Sequence, residues 1–290
     1  MPKRSEFYSK ILGLRARYLD AVRGNEALLK IIREAEVPDL VYNSNAIENS
    51  TLSLEETERI LLEIDLDRFI SQRELFETKN LARVVDYIDL KAKDSSVTLD
   101  FILLLHKMLL SNIRDEIAGR FRSEKEWVRV GTHIAPSPLE IVDRLEEMMK
   151  VYNLNPGLNI IQKLALQHLT FEYIHPFVDG NGRIGRVLLD CFLIKEGYVP
   201  INIKYSNRNQ YYSAFEEFQS RNKTDIMEKI IGLALTNSYH KRLAYLERKR
   251  VVALKEYAGI AKTSLSNLIN KAQRQTIEAF TEKGVWKIGV

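Results

Sequence analysis

"HPFVDGNGRIGR", residues 175–186, sets one histidine, one carboxylate, three glycines and two arginines into twelve positions. Both flanks are apolar at helical spacing, "LNIIQKLALQHLTFEYI" before it and "RIGRVLLDCFLIKEG" after it. Pro176 disfavours helical geometry at His175, so the first helix is expected to stop there. The second closes on Gly197, a suitable left-handed cap. A polar loop is thus expected between two core helices. Few glycines and prolines, with abundant Leu, Ile, Glu, Lys and Arg, extend that expectation to an all-α fold.

The loop's residue types answer to an anion. Gly180 and Gly182 allow close backbone approach to a ligand, and the helix after them offers unpaired N–H groups with the positive end of its dipole. Asn181 adds an amide. Arg183 and Arg186, three apart, add two guanidinium forks on one face. Asp179 would repel phosphate unless a cation intervened, and Mg²⁺ bridging carboxylate and phosphates resolves the conflict. His175 can then take a proton from a hydroxyl attacking phosphorus. Phe177 reads as a core anchor for the loop. Singly, each residue has a plain structural use as cap, solvated charge or turn; together they favour a polyphosphate cradle.

The bulk numbers bound the rest. The 290 residues are 45% apolar and 28% charged, with a net charge of +4, so the whole chain is no polyelectrolyte for nucleic acid. The single cysteine, Cys191 in "VLLDCFLI", excludes an intrachain disulfide and reads as a buried thiol rather than a nucleophile. No apolar run approaches a membrane span of about 18 residues. Charges interrupt "MPKRSEFYSKILGLRARYLD" too often for a secretory segment, which makes the cytoplasm the expected location.

Three regions are expected. Residues 1–94 read as helices, with a capping box at Ser53 and Glu56 and a core stripe of Leu75, Leu81, Val84, Val85 and Ile88. Thr98 or Asp100 caps the helix that opens 95–240. In that region Trp127 to Val130, followed by Gly131, Pro136 and Pro138, read as a short hairpin flap. Residues 241–290 suggest a small winged helix-turn-helix-like module, with Thr263 or Ser264 as a cap and a hairpin turn at Glu282–Gly284.

The stretch 175–186 resembles the full motif of the Fic family, HxFx(D/E)GNGRxxR, at every specified position. "VRVGTHIAPSP" resembles that family's flap, and "SNRNQYYSAFEE" the start of its nucleoside-binding helix. The resemblance implies an all-helical enzyme that transfers AMP from ATP, with Mg²⁺, to a hydroxyl of a target protein. His175 would be the general base and Asp179 the Mg²⁺ ligand. Asn181 with Gly180 and Gly182 would hold the α- and β-phosphates, Arg183 would neutralise pyrophosphate, and Arg186 would grip the γ-phosphate. Val128, Arg129, Val130 and Gly131 would clamp the target segment, and Tyr211 and Tyr212 would lie near the adenine.

Upstream, Ser44, Glu48 and Asn49 in "YNSNAIENS" match the family's inhibitory pattern (S/T)xxxE(G/N). A glutamate inserted into the cradle would pair with Arg186 and exclude the γ-phosphate. Two rival readings stand beside this one. The same glutamate could orient water for removal of AMP, giving a de-AMPylating or bifunctional enzyme. The basic run "KRLAYLERKR", with Lys262 and Lys271, could make the C-terminal module a DNA-binding regulator, against which its candidate recognition helix is poor in arginine. The target protein stays unnamed, the chain itself included, and no residue demands a homodimer.

Overall fold

The computed structural model describes residues 4–290. The fold is mostly helical, 64% helix, with small antiparallel sheets. The elements begin with α1 (Arg4–Val22), α2 (Glu26–Ile47), α3 (Leu54–Leu61), α4 (Gln72–Lys91) and α5 (Leu99–Leu110). A hairpin follows, β1 (Arg129–Val130) and β2 (His133–Ile134), then α6 (Ile141–Leu154), α7 (Ile160–Ile174), α8 (Asn181–Lys195), α9 (Arg208–Arg221) and α10 (Asp225–Leu246). The chain ends with β3 (Val251–Ala253), α11 (Leu254–Ile260), α12 (Leu265–Gln273), β4 (Ala279–Glu282) and β5 (Val285–Gly289). These form two compact units. One comprises residues up to Asp39, Tyr198–Asn202 and Gly232–Val290; the other comprises Leu40–Gly197 and Ile203–Ile231.

The larger unit is organised around α8, which is buried on nearly every side: Ile184, Val187, Leu188, Leu189, Cys191, Phe192, Leu193 and Ile194 are all in the core. A helix apolar all round has to be surrounded, and α4, α5 and α7 pack against it. Burial pushes the Cys191 thiol up to about 12, which leaves it inert. Boundaries follow local chemistry. Ser53 and Glu56 form the reciprocal capping box of α3. Thr98, rather than Asp100, caps α5 by accepting from the Phe101 amide. On α4, Leu81, Val84, Val85 and Ile88 are buried while Leu75 is half-buried. The flap is a minimal hairpin, with Arg129 opposite Ile134 and Val130 opposite His133.

In the smaller unit the sheet order is β3-β5-β4 and all pairs are antiparallel. Lys283 and Gly284 are both left-handed, which suits a two-residue turn between β4 and β5. Ser264, rather than Thr263, caps α12 by accepting from the Asn267 amide. Val252, Leu254, Leu268, Ala272, Ala279 and Ile288 form the core beneath. Among the described residues, no helix is long and apolar enough to cross a membrane.

Candidate active site

Helix α7 ends at His175, which takes the left-handed conformation (φ 49°) and turns the chain into the loop. Phe177 is fully buried, stacked on the His106 ring at 3.7 Å with Phe121 at 5.5 Å, and pins the loop to the core. His106 accepts the Gly119 amide at Nδ1 (3.0 Å), so its Nε2–H donates to the Asp179 carbonyl (3.0 Å). Gly180 is left-handed (φ 83°) at the N-cap of α8 and no side chain caps the helix. The first amides of α8 are therefore left for an anion.

Asn181 is taken up differently from its expected phosphate contact. Its amide donates to the Phe177 carbonyl and accepts from the Phe177 amide, both at 2.9 Å. A buried loop must satisfy its own backbone, and this side chain does so.

The two arginines diverge. Arg183 is buried, with Nη1 3.1 Å from Glu77 Oε1 and Nη2 3.2 Å from Asp179 Oδ1. Arg73 completes a four-charge cluster, donating to Asp179 Oδ2 (2.8 Å) and Glu77 Oε1 (3.0 Å). Burial would raise the Asp179 carboxyl, but Arg183 and Arg73 hold it below its ordinary value.

Arg186 instead meets the end of α2. Its Nε donates to Ser44 Oγ (2.9 Å), and its Nη2 donates to the Ser44 carbonyl (2.8 Å) and to Glu48 Oε1 (3.0 Å). The Ser44 carbonyl is available because the Glu48 amide bonds to the Asn45 carbonyl, one residue short of helical register. Asn49 supplies the left-handed residue past the helix end (φ 71°). A Cβ at Gly182 would collide with Glu48 Oε1, so the glycine makes room for that carboxylate.

Tyr211 and Tyr212, expected near a base, are both engaged. Tyr211 is fully buried, with its hydroxyl 2.8 Å from His168 Nε2 and 3.4 Å from Arg186 Nη1; it supports Arg186 from below. Tyr212 donates to the Ile47 carbonyl (3.2 Å), and Arg208 to Asn49 Oδ1 (2.7 Å). In the flap, Val130 is exposed, Gly131 makes the turn (φ 59°), Arg129 Nε donates to the Gly131 carbonyl (2.8 Å), and the Val128 carbonyl accepts from Ala135.

Burial pushes the His175 imidazole down to about 4, so it is neutral near pH 7 with a ring nitrogen free of its proton. Glu172, one turn earlier, is pushed up to about 8 by burial, with Glu48 adding to the effect. His168, Glu172 and His175 interrupt an apolar helix at i, i+4 and i+7, a signal for a second buried polar layer that the motif reading passed over. Arg73, Glu77, His106 and Arg122 also belong to the site's surroundings and lie outside the loop.

Residues 96–193 match the family model described as Fic/DOC family. Curated relatives include the protein adenylyltransferase Fic of Nematostella vectensis, 32% identical over 218 residues, covering 71% of this chain and 49% of that protein. Protein adenylyltransferase fic-1 of Caenorhabditis elegans is 27% identical over 249 residues, covering 84% and 45%. The chain thus spans about half the length of the curated relatives it matches. Among solved structures, a Fic-domain-containing signalling protein of Bacteroides thetaiotaomicron superposes with a TM-score of 0.74 at 22% identity, over 83% of this chain and 97% of that one. Fic-1 from C. elegans superposes at 0.70 with 23% identity, over 84% and 73%. With the loop, the flap and the helical core arranged as described, this chain belongs to the Fic/DOC family.

Proposed function

We propose that this chain transfers AMP from ATP to a hydroxyl side chain of a protein target, itself among the candidates, and that Glu48 restrains it. The carrying observation is the Arg186 guanidinium, held by Ser44 and Glu48 at the uncapped N-terminus of α8, one loop from a neutral His175. An arginine at a helix N-terminus opposes the dipole and calls for an anion. Here a carboxylate fills that role, where a γ-phosphate would otherwise do so. The names of the curated relatives support the same reading.

His175 accepts the proton of the target hydroxyl as that oxygen bonds to the α-phosphorus. The bond from that phosphorus to the β-phosphate bridging oxygen breaks, AMP stays on the target and pyrophosphate leaves. The open amides at Gly182 and Arg183 face the phosphates, and Arg186 receives the γ-phosphate once Glu48 withdraws. Among the described residues no group of three or more His, Cys, Asp or Glu could hold a metal by itself. Asp179 would hold Mg²⁺ together with substrate phosphates, its Oδ2 exchanging the bond it now accepts from the half-exposed Arg73 for the ion. When bound, Mg²⁺ would neutralise phosphate charge. Residues 1–94 then serve as restraint, 95–240 as catalytic core and 241–290 as an accessory module.

Intact mass after incubation with ATP and Mg²⁺ tests the proposal. Glu48→Gly should gain about 329 Da, the mass of one transferred AMP, and Glu48→Gly with His175→Ala should gain none. Adduct on the wild type equal to that on Glu48→Gly would remove the restraint, and adduct on the double variant would remove His175 as the base. If removal of AMP is the resting activity, Glu48→Gly loses it while gaining transfer.

A further inference from the structure

Arg122 lies outside every motif and is only 3% exposed. Its guanidinium fans out to four backbone carbonyls: His175 (2.8 Å), Glu126 (2.9 Å), Pro136 (3.1 Å) and Ile174 (3.3 Å). Its own amide donates to the Pro176 carbonyl (2.9 Å). Among the described residues no carboxylate lies within ion-pair distance of it, so carbonyl oxygens take up its hydrogen bonds while Glu126 adds attraction from farther off.

Those acceptors come from three segments. Ile174, His175 and Pro176 form the turn that presents the imidazole. Glu126 precedes β1 and Pro136 follows β2, so the two ends of the flap are gripped as well. His175 holds a left-handed φ that a non-glycine residue adopts only where its surroundings fix it, and the bond to its carbonyl is one such constraint. The charged or titratable groups facing its ring are Arg122, Glu48, His133 and Glu172. Of these, His133 lies on the flap itself and donates from Nε2 to the Tyr173 carbonyl (2.9 Å), while Arg122 holds the segments at both ends of the flap.

We propose that Arg122 is a positioning residue that locks the flap, and with it a clamped target segment, to the loop carrying His175. This rests on the AMP-transfer reading. Arg122 then fixes the register between base and both flap ends, beside the single tie from His133 to Tyr173. A target hydroxyl presented by the flap meets Nε2 at a fixed distance, and transfer falls steeply when that distance is lost. The cation also disfavours protonation of the ring it positions.

The test uses the full chain carrying Glu48→Gly, with Arg122→Met and Arg122→Lys added separately. Three quantities are read: self-modification by intact mass, ATP binding with Mg²⁺ by calorimetry, and the His175 titration by NMR of its ring protons. Arg122→Met should slow self-modification about 10²-fold while ATP binds as before. Its His175 midpoint should rise by about one pH unit. Arg122→Lys restores the charge without the four-way fan, so the midpoint should return while transfer stays slow. Parental transfer by Arg122→Met, or ATP affinity falling in step with rate, overturns the proposal. If Arg122→Met does not fold, Arg122→Lys decides it: slow transfer with intact ATP binding supports it, parental transfer overturns it. If the parent takes up no AMP, the functional reading fails by itself. Amide exchange over residues 128–135 and 174–177 then decides the linkage: joint acceleration in either variant upholds it, unchanged exchange overturns it.

Discussion

Arg183 and Arg186 stand one turn apart on the same helix, both buried, and each meets a carboxylate from elsewhere in the chain. Their partners differ in kind. Glu77 lies inside α4 with its side chain 13% exposed, and it shares a closed cluster with Arg73 and Asp179. Glu48 lies just past the end of α2 with its side chain 37% exposed. The first partner sits within a helix, and the second reaches in from a helix end. Equal burial of two cations therefore hides two settings, and on the proposed function only the second partner is released.

That contrast is open to direct attack. Glu77→Ala leaves the buried Arg183 with Asp179 as its remaining carboxylate partner and should cost about 2 kcal/mol in denaturant unfolding. Glu48→Ala leaves Arg186 with both Ser44 oxygens and admits water, so it should cost no more than about 1 kcal/mol. Equal costs would abolish the distinction.

Another effect is spread over pH. The Glu172 carboxyl titrates at about 8 in the folded chain, above its ordinary 4.5. Between those values the folded state keeps a proton that the unfolded state has released, so stability falls as pH rises, by at most about 1.4 kcal/mol per pH unit. Glu172→Gln should flatten that slope in urea titrations from pH 5 to 8. His175 and His168, held neutral by burial with values of about 4 and about 3, act oppositely as pH rises toward their ordinary 6.5. An unchanged slope in Glu172→Gln would mean that this carboxyl does not stay protonated beside Arg186. Least of all, Ser44→Ala removes one bond to Arg186 and should weaken the restraint by about 1 kcal/mol, roughly fivefold in basal AMP transfer. No change in that rate would leave Glu48 as the whole restraint.

What the sequence disclosed was local. Pro176, Gly180 and the two arginines announce a turn and a helix start within twelve residues, and the Ser44–Glu48–Asn49 spacing fits a helix end. Fold class followed from the apolar flanks of the loop. The side chains that passed unnoticed act across long separations: Arg73 reaches Asp179 over 106 positions, and Arg122 reaches His175 over 53. Only helix packing fixes such pairs, and no periodicity encodes them. Asn181 and Tyr211 show the converse limit. Their positions were legible, but buried backbone and a buried guanidinium took up the groups expected to meet a ligand.

The missing side chain at Gly182 bears on how such a chain can change by mutation. One missing methyl admits Glu48 in this state and, on the proposed function, a nucleotide phosphate in the other. A side chain there would meet the Glu48 carboxylate and have to push it aside. On the proposed function, a substitution at that position that displaces the inhibitor also crowds the phosphates that would replace it. On the same proposal, a lineage that loses regulation but keeps transfer should carry its lesion at residues 44–49 while its loop stays intact.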